Sequence, residues 1–500
     1  MSPKKALLLI PSLLLAIALW LSIVEKDVFV AITSSMNAWI LSYFGDLFSL
    51  TAFLCFLLVL MIYGSPLRKS IIGGPEARPI LTRFSWFTIT LCTTIAVGIL
   101  FWATAEPLYH LYHPPVSVGF EPGSEQAATF ALSTLFMHWT FIPYSIYAIG
   151  ALVFAISYYT RKEPYQIGSM LSPLLGSKLA AKASPLVDGL SLFSVMVGMA
   201  ASLGAALLIL SGGATLMLGV SNTALLTGMI ALVLVGTFTA SASSGLLKGI
   251  KWLSHINVLG FALLLVWLIL WGPLDQVVHQ SLPAMRYFVQ HFFQQSLAIG
   301  YDEQWSHTWT IFYWANWMAW MPVTALFLGR LGVGYSVKTF IEMNFWFPAL
   351  FSLLWMAILG SFSLYFDQQP NTGVLYQLMA DQGPEIIVFN ILQRFPLSQI
   401  IILVYVLLIV VSFVTAADSN TSAMSGLSTR GIRPDQPEAG WKLKSFFGLL
   451  IGLTAWMMVE TSGIDGIKML SNLGGLPAML LILGILAGGT KLLWTAYRKE

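Results

Sequence analysis

The feature that most constrains this chain is its repeated long apolar runs, separated by short polar stretches. Runs of about 20 apolar residues suffice for a helix to cross a bilayer. Twelve occur, near 5–24, 46–63, 84–111, 127–159, 188–218, 223–242, 252–273, 305–329, 340–366, 397–425, 442–460 and 470–497. Only 9% of the 500 residues are charged, and 57% are hydrophobic. Soluble domains carry roughly 25% charge. A water-facing shell cannot be built at this composition without large exposed apolar patches. The expectation is an all-α membrane protein with twelve transmembrane helices, its surface covered by the lipid bilayer.

The loops test that count. With the N-terminus inside, 21 of the 25 basic residues fall on the cytoplasmic side. Lys26, Arg286, Arg394 and Lys468 are the four left outside. Cytoplasmic loops are enriched in Lys and Arg, and one helix more or fewer would scramble the alternation. Both termini are therefore expected in the cytoplasm. The basic residues are scattered, which speaks against a nucleic-acid partner. Cys55 and Cys92 sit inside apolar runs and suggest neither a disulfide nor a metal site. The first run lacks a small-residue cleavage site before Glu25 and Asp27, so it reads as a retained helix.

The segment 276–296 differs from the spans. Val277, Leu282, Met285, Phe288, Val289 and Phe292 alternate with polar residues at helical spacing. That pattern fits an amphipathic helix on the outer membrane surface. The remaining organisation is two leading helices (1–83), a first set of five (84–274), the surface helix (275–304) and a second set of five with a short tail (305–500). Five is odd, so the second set runs inverted relative to the first, an arrangement frequent in secondary transporters. The stretch 430–441 is a Pro/Gly-rich cytoplasmic loop, and no separate regulatory or enzymatic unit is expected.

Chemistry concentrates in three runs. The third carries Thr93, Thr94, Gly98 and Thr104, with Glu106-Pro107 after them. Small and hydroxylated residues permit close packing or local unwinding around an ion or solute, and Glu106 reads as a structural group. The fourth carries His138-Trp139-Thr140 and Pro143, which bends a helix, with Tyr144 and Tyr147 beyond. The eighth holds Trp305, Trp309, Tyr313, Trp314, Asn316, Trp317 and Trp320. Trp305 and Trp309 fit an interfacial belt. Trp317 and Trp320 lie too deep for one, and buried indole N–H groups need partners.

Core packing is one explanation of such a cluster. The other is an aromatic cage for a quaternary ammonium, a cation attracted by ring faces that offers no hydrogen-bond donor. Runs four and eight have no central carboxylate, which suits a zwitterion of zero net charge. Asp418 is the lone mid-span acid elsewhere, read equally as functional or as part of a polar network. An intramembrane enzyme would need a catalytic or metal-binding constellation, and a channel a carbonyl filter or charged rings. Neither pattern is present in the sequence, and no cofactor is implied.

The runs Phe101-Trp102-Ala103-Thr104-Ala105-Glu106-Pro107, His138-Trp139-Thr140, Phe312-Tyr313-Trp314-Ala315-Asn316-Trp317-Met318-Ala319-Trp320 and Thr415-Ala416-Ala417-Asp418-Ser419 resemble the betaine/choline/carnitine transporter family. The resemblance spans about Phe84 to Leu476. It implies a LeuT-like fold of inverted five-helix repeats after two extra helices, a homotrimer, a bacterial inner membrane location, and alternating access around a small zwitterionic solute. By matched position it implies a cage of Trp139, Tyr144, Tyr147 and Trp317, with Trp314 and Trp320 along a pathway beside it.

Departures from the family pattern bear on substrate and coupling. Asn316 stands where the family has a tryptophan next to Trp317. This keeps open another small zwitterion, such as a sulfonate, a sulfonium compound or an amino acid, carried by an exchanger or otherwise. The sodium region carried over by resemblance is Thr94, Ile95, Thr415 and Ala416. Here Ala416 replaces a serine, and Val195 and Met199 replace threonines. The seventh helix carries Asn257, where sodium-independent exchangers have an arginine. Sodium coupling, proton coupling through Glu106, His138 or His255, and exchange all stay open. The short C-terminus lacks the basic tail of osmosensing members.

Overall fold

A computed structural model describes residues 5–95, 97–243, 246–369, 373–429 and 440–498. The expected loop 430–441 therefore lies largely outside the described residues. Among the described residues the chain is helical, with no β-strand and one isolated bridge between Ile71 and Ser336. Helices suit an apolar chain because every backbone group is paired within the segment.

The principal helices are α1 (Lys5–Val24), α2 (Lys26–Gly64), α3 (Arg83–Ile95), α4 (Gly98–Tyr112), α5 (Glu125–Trp139), α6 (Phe141–Ala155) and α7 (Ser177–Leu218). They continue as α8 (Ala224–Ser243), α9 (Leu246–Trp271), α10 (Leu274–Gln290), α11 (Phe312–Leu331), α12 (Phe347–Asp367), α13 (Ser398–Leu427) and α14 (Trp441–Tyr497). Eight helices among the described residues are long and apolar enough to cross a membrane, or nine with the bent pair α3 and α4 as one span. The chain is thus an all-α membrane protein.

Two long helices start earlier than the apolar runs suggest. The run 46–63 is the second half of the 39-residue α2, and 188–218 is most of the 42-residue α7. The opposite happens in α14, whose 57 residues would reach about 86 Å as one rod. A hydrocarbon core is roughly 30 Å thick. Gly463 breaks the rod with φ 54° and ψ −133°, a conformation that favours glycine. The break falls between the runs 442–460 and 470–497.

The surface segment forms α10 and a short helix Phe292–Leu297. Val277, Ala284 and Phe288 are buried, and α10 packs on α5. Val278, Leu282, Val289 and Phe293 are exposed. Leu232, Leu263 and Leu403 on α8, α9 and α13 are exposed too.

Several buried hydroxyls are satisfied inside their own helices. Thr33, Thr140, Ser184 and Thr415 each donate to the carbonyl four residues back. This pairs those hydroxyls in an apolar setting, while others, among them Thr104 and Thr134, are buried without a partner. Cys55 and Cys92 are free and buried.

Candidate functional site

Two helix breaks build the site. Between α3 and α4 the axis turns by 55°, and Leu100 and Phe101 both donate backbone N–H groups to the Val97 carbonyl. The start of α4 is clamped from outside: Trp355 Nε1 donates to Ile99 O (3.1 Å) and Tyr405 Oη to Leu100 O (2.6 Å). Between α5 and α6, Thr140 leaves helical geometry at φ −119° and ψ −111°. Pro143, lacking an N–H, removes the bond that the Trp139 carbonyl would accept. The Trp317 indole N–H donates to the His138 carbonyl, which lies just before the Thr140 break, at 3.2 Å.

That bond seats Trp317 among the rings of α5 and α6. Its centroid lies 5.6 Å from Trp139, 5.8 Å from Tyr144 and 5.4 Å from Tyr147. A small cavity lies beside them. Of the expected site residues, Thr94, Trp139, Tyr147, Asn316, Trp317 and Trp320 line it. Tyr144 is buried against Trp317 outside the lining. Trp314 also lies outside the lining: it is fully buried and its indole donates to Ser296 O at 3.0 Å. Ala201, Ser202 and Ala205 of α7 form a wall of small side chains. Gly98 admits the indole of Trp139, for a Cβ there would fall 2.5 Å from that ring.

Glu106 is more than a cap for backbone groups. It is fully buried, and its carboxylate gathers side chains from its own helix α4 and from two others, α5 and α11. Oε1 accepts from His138 Nδ1 (2.6 Å) and His110 Nε2 (3.3 Å). Oε2 accepts from Trp139 Nε1 (2.9 Å) and from the Tyr313 hydroxyl. His138 Nε2 lies 3.0 Å from Thr310 Oγ1, and its ring stacks on Tyr313 at 4.5 Å. Ligand atoms of Glu106, His110 and His138 lie within 4.8 Å of one another. They are hydrogen-bonded together and to indole and phenol donors, so the cluster reads as a polar network that fixes the Trp139 and Tyr313 rings, with His110 Nδ1 left without a partner.

The ion-region residues lie on α3 and α13, which touch where Thr93 Oγ1 meets Ser419 Oγ at 3.1 Å. Thr94 Oγ1 donates to Thr90 O and Thr415 Oγ1 to Val411 O. Ala416 is buried, and of Ile95 only the backbone is described. Val195 and Met199 are fully buried. Asn257 Nδ2 donates to Ser412 Oγ (3.0 Å) and Cys92 Sγ (3.4 Å), cross-linking α9, α13 and α3. Asp418 accepts from Ser241 and Ser422. His255 lies away from Glu106 and His138, its ring 5.4 Å from Phe84.

Several lining residues escape the sequence argument: Trp102 and Phe312, which line the cavity beside Trp139, and Ile467 of α14. Trp102 stands in the motif ending Glu106-Pro107, one helical turn before the carboxylate, and that spacing is the signal that marks it. Lys468, next to Ile467, lies with Nζ 4.1 Å from the Trp309 ring centroid, 5.5 Å from Phe312 and 6.0 Å from Trp102.

Known proteins match this chain along most of its length. The profile of betaine/carnitine/choline family transporters covers residues 6–498. The glycine betaine transporter OpuD of Bacillus subtilis is 28% identical over 477 residues, 94% of this chain and 91% of that protein. The ectoine/hydroxyectoine transporter of Virgibacillus pantothenticus is 27% identical over 461 residues, 91% and 90% of the two chains. The high-affinity choline transport protein of Escherichia coli K12 is 26% identical over 468 residues, 92% and 68%. The match spans the aromatic cluster, Glu106 and the helices around them, and the chain belongs to the betaine/carnitine/choline family of transporters.

Proposed function

We propose that this chain is a secondary active transporter of a quaternary ammonium or related zwitterionic solute. The solute's cation is held among Trp139, Tyr147 and Trp317, with Trp320 beside them. The observation that carries this reading is the ring geometry around one cavity, with centroid separations of 5.4–5.8 Å about Trp317. Ring faces attract a cation that has no N–H to donate. Glu106 supplies no bare counter-ion, because His110, His138, Trp139 and Tyr313 occupy its oxygens. A solute with its own carboxylate suits that arrangement. Asn316, whose Oδ1 accepts from Ser471 at 3.0 Å, lies on the same cavity wall and offers its amide N–H groups.

The architecture proposed around this site has twelve crossings. The nine spans above are joined by α1, by the run Glu303–Leu331 that includes α11, and by the division of α14 at Gly463. Two leading helices (1–83) precede inverted sets of five at 84–274 and 305–500, with the surface helix (275–304) between them. The first helix of each set departs from regular geometry near the cavity, by the bend between α3 and α4 and by a π-helical turn at His307–Ile311. That supports a LeuT-like pair of repeats rocking around a fixed site. Cytoplasmic termini follow from the loop charges. A bacterial plasma membrane and a homotrimer follow from the family resemblance.

The test is uptake in reconstituted vesicles. Trp317→Ala is expected to weaken binding of glycine betaine by roughly 30-fold, the loss of a desolvated cation–π contact of about 2 kcal/mol. Trp317→Phe is expected to keep part of it. Unchanged affinity in the alanine variant rejects the cage. Imposed sodium and proton gradients, and vesicles preloaded with solute, then identify the driving ion or exchange.

A further inference from the structure

We propose that Lys468 is a specificity-determining residue at the outer mouth of the cavity. It favours solutes that carry a carboxylate beside their ammonium and turns away solutes that carry the positive charge alone. The proposal rests on the reading of the cavity as an ammonium-solute site and deepens it.

The residue's position comes from the break at Gly463. The chain resumes as a helix whose first turns cover the cavity. Ile467 lines it, and one turn on, Ser471 Oγ donates to the Asn316 Oδ1 on its wall. Lys468 sits between these two. Its Nζ lies over Trp309 at 4.1 Å and closes on Phe312 and Trp102 at 5.5 and 6.0 Å. Phe312 and Trp102 also line the cavity. The ammonium and the bound solute therefore share two rings. The loop charges assign this end to the outside.

What the ammonium lacks is an anion. Among the described residues no carboxylate oxygen lies within 4.0 Å of Nζ, and Nζ makes no hydrogen bond to a protein acceptor. Asp465, less than one turn earlier, is exposed. The buried acid whose charge reaches it, Glu106, already accepts from His110, His138, Trp139 and Tyr313. Three rings thus hold Lys468 in place by cation–π attraction while its N–H donors stay uncommitted. A lysine that is fixed but unpaired presents a positive charge to whatever enters. Unit charges several Å apart, at an effective dielectric constant of about 20, interact strongly enough to change affinity by ~10-fold or more. That term repels a net cation. For a zwitterion it is offset by attraction to the carboxylate, which reaches the free donors as a charge-assisted pair.

The experiment measures uptake of labelled glycine betaine and choline by the full chain, in cells lacking their own carriers for both. The wild type is expected to prefer glycine betaine. Lys468→Met keeps an unbranched chain among the rings but removes the charge, and is expected to lower the betaine-over-choline ratio about 10-fold. Lys468→Arg keeps the charge and is expected to keep the ratio. An unchanged ratio in Lys468→Met, or a wild type that prefers choline, overturns the assignment. A second measurement needs no variant: inhibition of wild-type uptake by glycine betaine and by its methyl ester, which has the same ammonium and no negative charge. The ester is expected to inhibit about 10-fold more weakly, and equal inhibition overturns the assignment. A wild type that moves neither solute sinks the functional reading itself, and the role of Lys468 with it.

Discussion

Two groups of aromatic rings stand side by side here, and they differ in what they close upon. The inner group, Trp139, Tyr147 and Trp317 with Tyr144 packed against the last, borders one side of a cavity and is fixed from behind. The Trp317 indole is tied to the His138 carbonyl, and the Trp139 indole to Glu106. The outer group, Trp102, Trp309 and Phe312, closes on a cation that the chain itself supplies, Lys468. Aromatic density alone therefore does not mark a solute site. What separates the groups is whether a built-in charge faces the rings and whether buried hydrogen bonds set their orientation. Two of the inner rings, Trp139 and Trp317, are held by their indole N–H groups, which spends no ring face on a cation of the chain's own. The outer rings hold a lysine with theirs.

The largest effect should come from removing the anchor. Glu106→Ala leaves His138, Trp139 and Tyr313 donors buried without an acceptor. Removing one partner of a buried charged network costs about 3–5 kcal/mol. The expected outcome is a sharp fall in thermal stability in detergent and in the amount of protein in the membrane. Glu106→Gln, which keeps one acceptor oxygen, should fall between. If Glu106→Ala melts like the wild type, the inner rings are not held by the carboxylate, and the contrast between the two groups fails.

Much of the frame behind this contrast was legible in the sequence, and much of the site was not. Spans could be read because apolar length is a local property, and the division of α14 falls between two runs that hydropathy alone separates. Helix starts were less legible: α2 and α7 extend well before their apolar cores, because helical pairing continues through polar residues once begun. Trp317 was legible as a residue too deep for an interfacial belt. Trp314, three positions earlier, was expected beside the pathway, yet it turns to the Ser296 carbonyl, because periodicity cannot say which neighbour a face meets. The role of Glu106 was hidden for a related reason. Its donors His138, Trp139 and Tyr313 lie 32, 33 and 207 residues away. Only the tertiary fold brings them to one carboxylate, and Lys468 meets Trp309 in the same way.

A smaller effect is expected from crowding the inner group without touching its hydrogen bonds. Gly98→Ala sets a methyl group 2.5 Å from the terminal ring atom of Trp139, so the indole must shift. Overpacking of this kind costs typically 1–3 kcal/mol, and a shifted cage ring should weaken glycine betaine binding by about 10-fold. Gly228→Ala is the control, because its new Cβ would lie 3.4 Å from Trp456 on the rim of α14, a contact near ordinary packing distance. Binding titrations that move equally in both variants would mean that Gly98 does not report on the cage.

The smallest effect should come from the outer group, and it discriminates most finely. Trp309→Leu removes the ring closest to Lys468 while leaving Phe312, Trp102 and all inner rings in place. An exposed or half-buried cation–π contact contributes about 0.5–1 kcal/mol, so the lysine loosens without losing its charge. The betaine-over-choline ratio should then fall only about 2- to 5-fold, less than in Lys468→Met. Glycine betaine should still bind, because the rings that hold its ammonium are untouched. In the double variant Trp309→Leu with Lys468→Met, the tryptophan change should add almost nothing, since the charge it positions is gone. Such non-additivity is the signature of two residues acting through one contact. Additive losses would instead mean that Trp309 meets the solute directly, joining Trp102 and Phe312 on the cavity wall.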